Sequence, residues 1–253
     1  MIIASILLTM TGVVVFYASS IIDANRQMME FEYGKDLMVY AAEALEQVAL
    51  GTGGARTVKF SLSSAGINFV ERAFGKLEVY VNGVKVIEDY PSVIVLRGGT
   101  LVSTVFRMLR PEVESAPYEE YLRLIVGAGE PLVVVYENFS GGAVVVLAPK
   151  RIRANYLGVY EIPKGGGVFE RYSYYEISYI KVTFGKLGGS GQISITMRNV
   201  GVNESEYFFD GCSRVTVRCV LDGHEEELEM GSVCGARGAI VRVRIVNVEV
   251  STG

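Results

Sequence analysis

No charged residue occurs from Met1 to Ile22, and no lysine or arginine precedes Arg26. A secretory signal needs a basic n-region and a shorter apolar stretch, so cleavage after Ala18-Ser19-Ser20 is the disfavoured reading. The positive-inside rule likewise finds nothing to hold on the N-terminal side. Histidine occurs once, at His224, and cysteine three times, at Cys212, Cys219 and Cys234, without paired C-x-x-C spacing. That set argues against a metal centre, and nothing else implies a cofactor. A net charge of −4, a pI near 5.3 and no Lys/Arg stripe interleaved with aromatics argue against nucleic acid as a partner. Tryptophan is absent and glutamine occurs only at Gln27, Gln47 and Gln192, whereas tyrosine occurs 15 times in a Val-rich body. This composition fits a hot-adapted β protein.

What is present is apolar: 50% of 253 residues, enough for one large or two modest domains. Met1 to Ile22 as a helix would reach roughly 33 Å, about the hydrocarbon thickness of a bilayer. The helical period then continues, with Leu37, Tyr40, Ala41, Ala44, Leu45 and Val48 at spacings of three and four and Glu43 and Glu46 between them. One helix of about 50 residues is expected, ending at Gly51-Thr52-Gly53-Gly54, where glycine takes the left-handed conformation that closes a helix. Gly34 is a candidate bend, and Gly12 a close-approach or bending point. The first half is apolar all round and the second on one face only. That division suits an inner half among identical helices and an outer half carrying a domain. As a phosphate loop, Gly51 to Arg56 fails, because it follows a helix instead of a strand and lacks the Gly-Lys-Ser/Thr ending.

After Arg56 the period falls to two: Val58, Phe60 and Leu62 alternate with Thr57, Lys59 and Ser61. Leu77 to Val81 and Val84 to Ile87 flank Asn82-Gly83, a type I′ hairpin signal. Leu132 to Tyr136 and Ala143 to Leu147 flank a second hairpin. A break is expected at Pro163 to Gly167, followed by strands over Tyr172 to Phe184, Gln192 to Val200, Arg214 to Leu221 and Ala239 to Val250, with Asp222-Gly223 as a further turn. Glu119 to Leu124 alone suggests a later helix, and Asn68 to Phe74 reads as either strand or helix. The fold class is therefore α+β: a long N-terminal hydrophobic α-helix followed by antiparallel β-sandwich-like regions. The expected division is an assembly helix over 1–54, a first β-rich domain over 55–163 and a second, Ig-like one over 168–253.

The uncharged Met1 to Ile22 helix, its amphipathic continuation, the Gly51 to Gly54 stop and the β-rich remainder resemble archaeal type IV pilins and archaellin-related filament proteins. The run from Ile193 to Gly201 looks like strands of archaeal surface β-sandwiches. Such precursors are cut behind a short basic leader, which would account for the missing n-region. Bacterial pilins carry a glutamate at the fifth mature position, where this chain has Ser5. The resemblance implies an extracellular, cell-surface helical homopolymer whose subunits reside in the membrane before assembly, and no enzymatic activity. The alternative is a membrane-anchored pilin-like minor or stator component with an external β-sandwich.

The residues expected to polymerise are Ile2, Ile3, Ile6, Leu7, Leu8, Val13, Val14, Val15, Phe16, Ile21 and Ile22. Each buried aliphatic or aromatic side chain is worth roughly 1.5–3 kcal/mol, so together they reach tens of kcal/mol before ordering costs. No catalytic residue is expected. His224 beside Asp222-Gly223 and the acidic run Glu225 to Glu229 reads as a solvated hairpin tip, and the tyrosines at 172–175 as packing, with an adhesive patch as the lesser reading. The two sequons, Asn138-Phe139-Ser140 and Asn203-Glu204-Ser205, both placed in turns, are candidate glycosylation sites. Cys219 shares a strand face with Val215, Val217 and Leu221 and is expected free and buried. Cys212 and Cys234 lie at similar distances from the Asp222-Gly223 turn, so a Cys212–Cys234 bridge is expected, worth about 3 kcal/mol by loop entropy.

Overall fold

The computed structural model describes residues 2–51, 54–165, 168–189, 191–211, 214–231 and 236–253, with side chains from Leu7 onward and backbone only at Gly165 and Val168. Helix α1 (Ile2–Leu50) is continuous, joining the apolar run to its amphipathic continuation. There follow β1 (Ala55–Ser61), β2 (Gly66–Val70), β3 (Leu77–Val81), β4 (Val84–Asp89), β5 (Val93–Arg97), β6 (Arg107–Arg110) and β7 (Glu112–Val113). A short helix α2 (Pro117–Leu122) precedes β8 (Ile125–Val126), β9 (Val134–Phe139), β10 (Ala143–Ala148), β11 (Ile152–Gly165) and β12 (Val168–Phe184). The chain ends with β13 (Gln192–Asp210), β14 (Val215–Leu221), β15 (His224–Met230) and β16 (Gly238–Thr252).

Among the described residues these strands form three sheets, in the orders β1-β13-β16-β12-β11-β8, β2-β5-β10-β9-β6-β7 and β15-β14-β3-β4. Pairing is mostly antiparallel, the exceptions being β12 with β16 and β11 with β8. The expected break at 163–167 overlaps the end of β11, which runs to Gly165 and pairs with the start of β12 in one ladder. Residues from both expected β domains share two of the sheets, since β1 pairs with β13 and β3 with β14. Sequence distance hides this, because long-range pairing leaves no local mark. The hairpin turns do form as their dipeptides require: Asn82 and Gly83 have φ of 46° and 80°, and Asp222 and Gly223 have φ of 52° and 76°.

The first sheet changes its buried face midway. Tyr175, Ile177 and Tyr179 of β12 and Val241 and Val243 of β16 face the third sheet, together with Val79, Val217 and Cys219. Farther along the same strands, Ile180, Val182, Val246, Val248 and Val250 switch parity and face α1. With a period of two, that switch places the two cores on opposite faces of one sheet. The second sheet is buried on both faces, which explains its unalternating strands. In β10, Ala143, Val145 and Leu147 join the α1 core, and Val144, Val146 and Ala148 pack on the other side with partly buried Phe106 and Tyr121. The C-terminal carbonyls of α2 are held by two buried basic side chains: Lys150 donates to the Tyr121 carbonyl, and Arg151 to those of Glu120 and Arg123.

Candidate functional site

Helix α1 has two environments. From Phe31 to Ala49 one side of it packs against the first and second sheets, with Met38, Ala42, Leu45 and Ala49 at 0% exposure. From Leu7 to Ile22 it projects free, with Leu8 79% and Phe16 77% exposed. The helix meets the length and composition of a membrane span, with a mean hydropathy of 1.6 and none of its most apolar window buried. Leu7, Leu8, Val13, Val14, Val15, Phe16, Ile21 and Ile22 are all exposed along this rod. Ile2, Ile3 and Ile6 lie on the same helix, but their side chains fall outside the described residues.

The apolar surface does not stop where the sheets begin. Ile22, Met29, Tyr33 and Tyr40 are exposed, and at 100° per residue they fall within about 20° of one line. A solvated helix face is ordinarily polar, whereas here the outward stripe of α1 continues the character of the free rod.

Polar contacts tie α1, from Gln27 to its C-terminal end, to the body. The Glu30 carboxylate accepts the backbone N–H groups of Ser63, Ser64 and Ala65 at 2.6, 2.9 and 3.0 Å and the hydroxyls of Ser63 and Ser64 at 2.6 and 2.9 Å. Desolvation pushes its pKa up, and these donors together outweigh that and hold it at about 2. Gln27 accepts the Leu101 N–H at 3.1 Å. Lys35 pairs with buried Glu137 at 2.9 Å, and Thr104 donates to the same carboxylate. Arg110 forks onto Glu46 with two bonds of 3.0 Å, and Glu46 also accepts the Val133 N–H at 2.7 Å. At the helix end the Asn199 amide donates to the carbonyls of Val48 and Gly51. Sequence reading missed these residues. Their only local signal is charge on an otherwise apolar helix, and the partners come from distant strands.

The remaining expected sites divide. Asn138 lies within β9 and Asn203 within β13, so neither is in a turn. Asn138 is half-buried beside the Ser140 to Gly142 turn, and Asn203 is exposed on the side of β13 beyond the reach of β1. Cys219 is buried and free, and burial pushes its thiol up to about 12, with Glu226 adding to the effect. Cys212 and Cys234 lie outside the described residues. His224 is half-buried, and the acidic run is largely engaged: Glu225 with Arg218, Glu229 with Arg214, and Glu226 with the Leu124 and Ile125 amides. Among the described residues no group of three or more acidic, histidine or cysteine side chains is placed to hold a metal. Tyr172 and Tyr175 are both buried, on opposite faces of β12, and Tyr175 belongs to the core between the first and third sheets.

No protein family, curated protein or solved structure matches this chain.

Proposed function

We propose that the chain is the structural subunit of an archaeal type IV pilus-like filament, polymerising through residues 2–22 of α1. The observation that carries this reading is the division of one continuous helix into a free apolar rod and a half packed against two sheets. An apolar rod cannot stay in water, so it resides in the membrane and then between copies of itself. The clamp makes each rod's direction a property of its body. A head-to-tail contact between such bodies that does not close gives a fibre. The outward stripe through Met29, Tyr33 and Tyr40 extends the surface available to neighbouring copies.

The test is Val14→Asp, expected to abolish cell-surface filaments while the detergent-solubilised chain keeps its wild-type melting temperature. Filaments as abundant as wild type would overturn the proposal. The second reading, a membrane-anchored component that stays in the envelope, is favoured by the span-like length and hydropathy of α1. Abundance separates them: the filament reading requires this chain to be the main component of sheared fibres.

A further inference from the structure

The face of the first sheet that α1 covers at one end is uncovered at the other, and there it carries a hollow of about 340 Å³. The ladder places Gly158 opposite Tyr174, Tyr174 beside Ile240 and Ile240 opposite Phe208, one row across β11, β12, β16 and β13. The adjoining row sets Arg242 opposite Glu206, and on the other side Tyr160 stands with its ring 5.9 Å from that of Tyr174. Ile240 is 3% exposed and forms the floor, while Tyr160 and Phe208, at 53% and 60%, form the walls. Gly158 has φ of 126°, and a β-carbon there would meet nothing within 4 Å.

Solvated sheet faces ordinarily carry polar side chains, so a concave arrangement of rings calls for a ligand. The charges narrow its class. The Arg242 guanidinium lies 5.5 Å from the Tyr174 ring centroid, so the cation-binding face of that ring is taken by the chain itself. Arg242 also sits 3.7 Å from Glu206, and Glu161 at the far end is paired with Arg171 at 2.9 Å. Those pairs cancel, and Glu176, beside Arg242 in the ladder and accepting the Ser178 hydroxyl, leaves the surround with one carboxylate in excess, which disfavours an anion. The hollow offers aromatic faces together with a carboxylate that accepts and a guanidinium that donates. A pyranose ring has the matching surfaces, an apolar C–H face and a rim of hydroxyls, and the volume lies at the small end of ligand sites.

We propose that this hollow binds two consecutive neutral hexose units of a polysaccharide outside the chain, the C–H face of one against Tyr160 and that of the next against Phe208, with hydroxyls on Glu206 and Arg242. The site does not depend on the filament reading, since it lies on the body and not on the rod. The test uses the full chain in a polyoxyethylene detergent, which carries no sugar, titrated with cellobiose, maltose, mannobiose and tetramethylammonium. At least one disaccharide is expected to bind with a dissociation constant of about 1 mM. Tyr160→Ala and Phe208→Ala should each weaken it about tenfold, and Tyr160→Phe should retain it, because stacking needs the ring and not the hydroxyl. Unchanged melting of the variants keeps a folding defect apart from loss of the site. No sugar binding at about 20 mM would overturn the proposal, as would binding indifferent to both alanine variants. Binding of tetramethylammonium alone, or self-association lost in the double variant without any sugar binding, would also overturn it.

Discussion

Gly34 of α1 lies against Leu96 of β5 so closely that a β-carbon on the glycine would stand 2.5 Å from Leu96 Cδ2. The helix runs on through this glycine, and its missing side chain lets the second sheet approach. Leu96 is fully buried, so it has little room to turn away. Gly34→Val should therefore destabilise the body by about 1–3 kcal/mol, by overpacking. Adding Leu96→Ala should cost less than the sum of the two single changes, and strict additivity in chemical denaturation would deny the contact.

The Glu46–Arg110 pair predicts a larger loss. Both side chains are mostly buried, at 11% and 15% exposure, and Glu46 also satisfies the Val133 amide. Glu46→Ala leaves the Val133 N–H without its acceptor and the guanidinium with only the Val133 carbonyl, at 2.7 Å, and should cost about 3–5 kcal/mol. A loss below about 1 kcal/mol, the range of an exposed pair, would show that water reaches the site.

Acid should loosen the base of the rod through Glu30. Its carboxylate titrates at about 2 in the folded chain against an ordinary 4.5. A depressed folded value means stability that is fully present above about pH 4.5 and drains away as pH falls towards 2. Glu30 is only partly shielded, so solvent screening reduces the size of the effect. The melting temperature of the wild type should fall more steeply than that of Glu30→Gln across this window, and the Ser63 to Ala65 amides should lose hydrogen-exchange protection first. Parallel acid profiles for the two proteins would remove Glu30 as the cause.

Much of the fold is legible in the sequence, because periodicity and turn dipeptides are local. The extent of α1, the inward row Val58, Phe60 and Leu62, and the Asn82-Gly83 and Asp222-Gly223 hairpins all follow from residues within one or two turns of each other. Strand partnership does not. That β1 joins β13, or β3 joins β14, depends on residues more than a hundred positions apart, so a division at 163–168 misses sheets shared across it. The same reason hides the clamp: Glu30, Lys35 and Glu46 are visible as charges on the helix, but Ala65, Glu137 and Arg110 come to them only through tertiary packing. The sequons show a further limit, since Asn203 sits in the nineteen-residue strand β13 and not in a turn.

Exposure nevertheless favours modification of Asn203 over Asn138. Asn203 is exposed on a stretch of β13 with a partner strand on one side only, whereas Asn138 is half-buried and its side-chain oxygen accepts the Phe139 N–H. An acceptor asparagine must present its amide to an enzyme. Asn203→Gln should therefore lower the intact mass of native material by one glycan, and Asn138→Gln should change it less often. A mass equal to the 27.6 kDa polypeptide alone would remove both sites.

The cysteines provide the last prediction. Cys219 alternates inward with Val215, Val217 and Leu221 along β14, is fully buried, and has a thiol pushed up to about 12. At neutral pH almost none of it is thiolate, the form that exchanges with disulfides, and the third sheet shields it from any partner. Oxidation in an extracellular setting should then act only on the other two cysteines, Cys212 and Cys234. Non-reducing peptide mapping is expected to return a Cys212–Cys234 peptide and an unmodified Cys219 that alkylates only after denaturation. Its loop of about 22 residues should add roughly 3 kcal/mol of stability, read as a lower denaturation midpoint after reduction. Recovery of Cys219 in any disulfide would mean that β14 does not hold its observed face in solution.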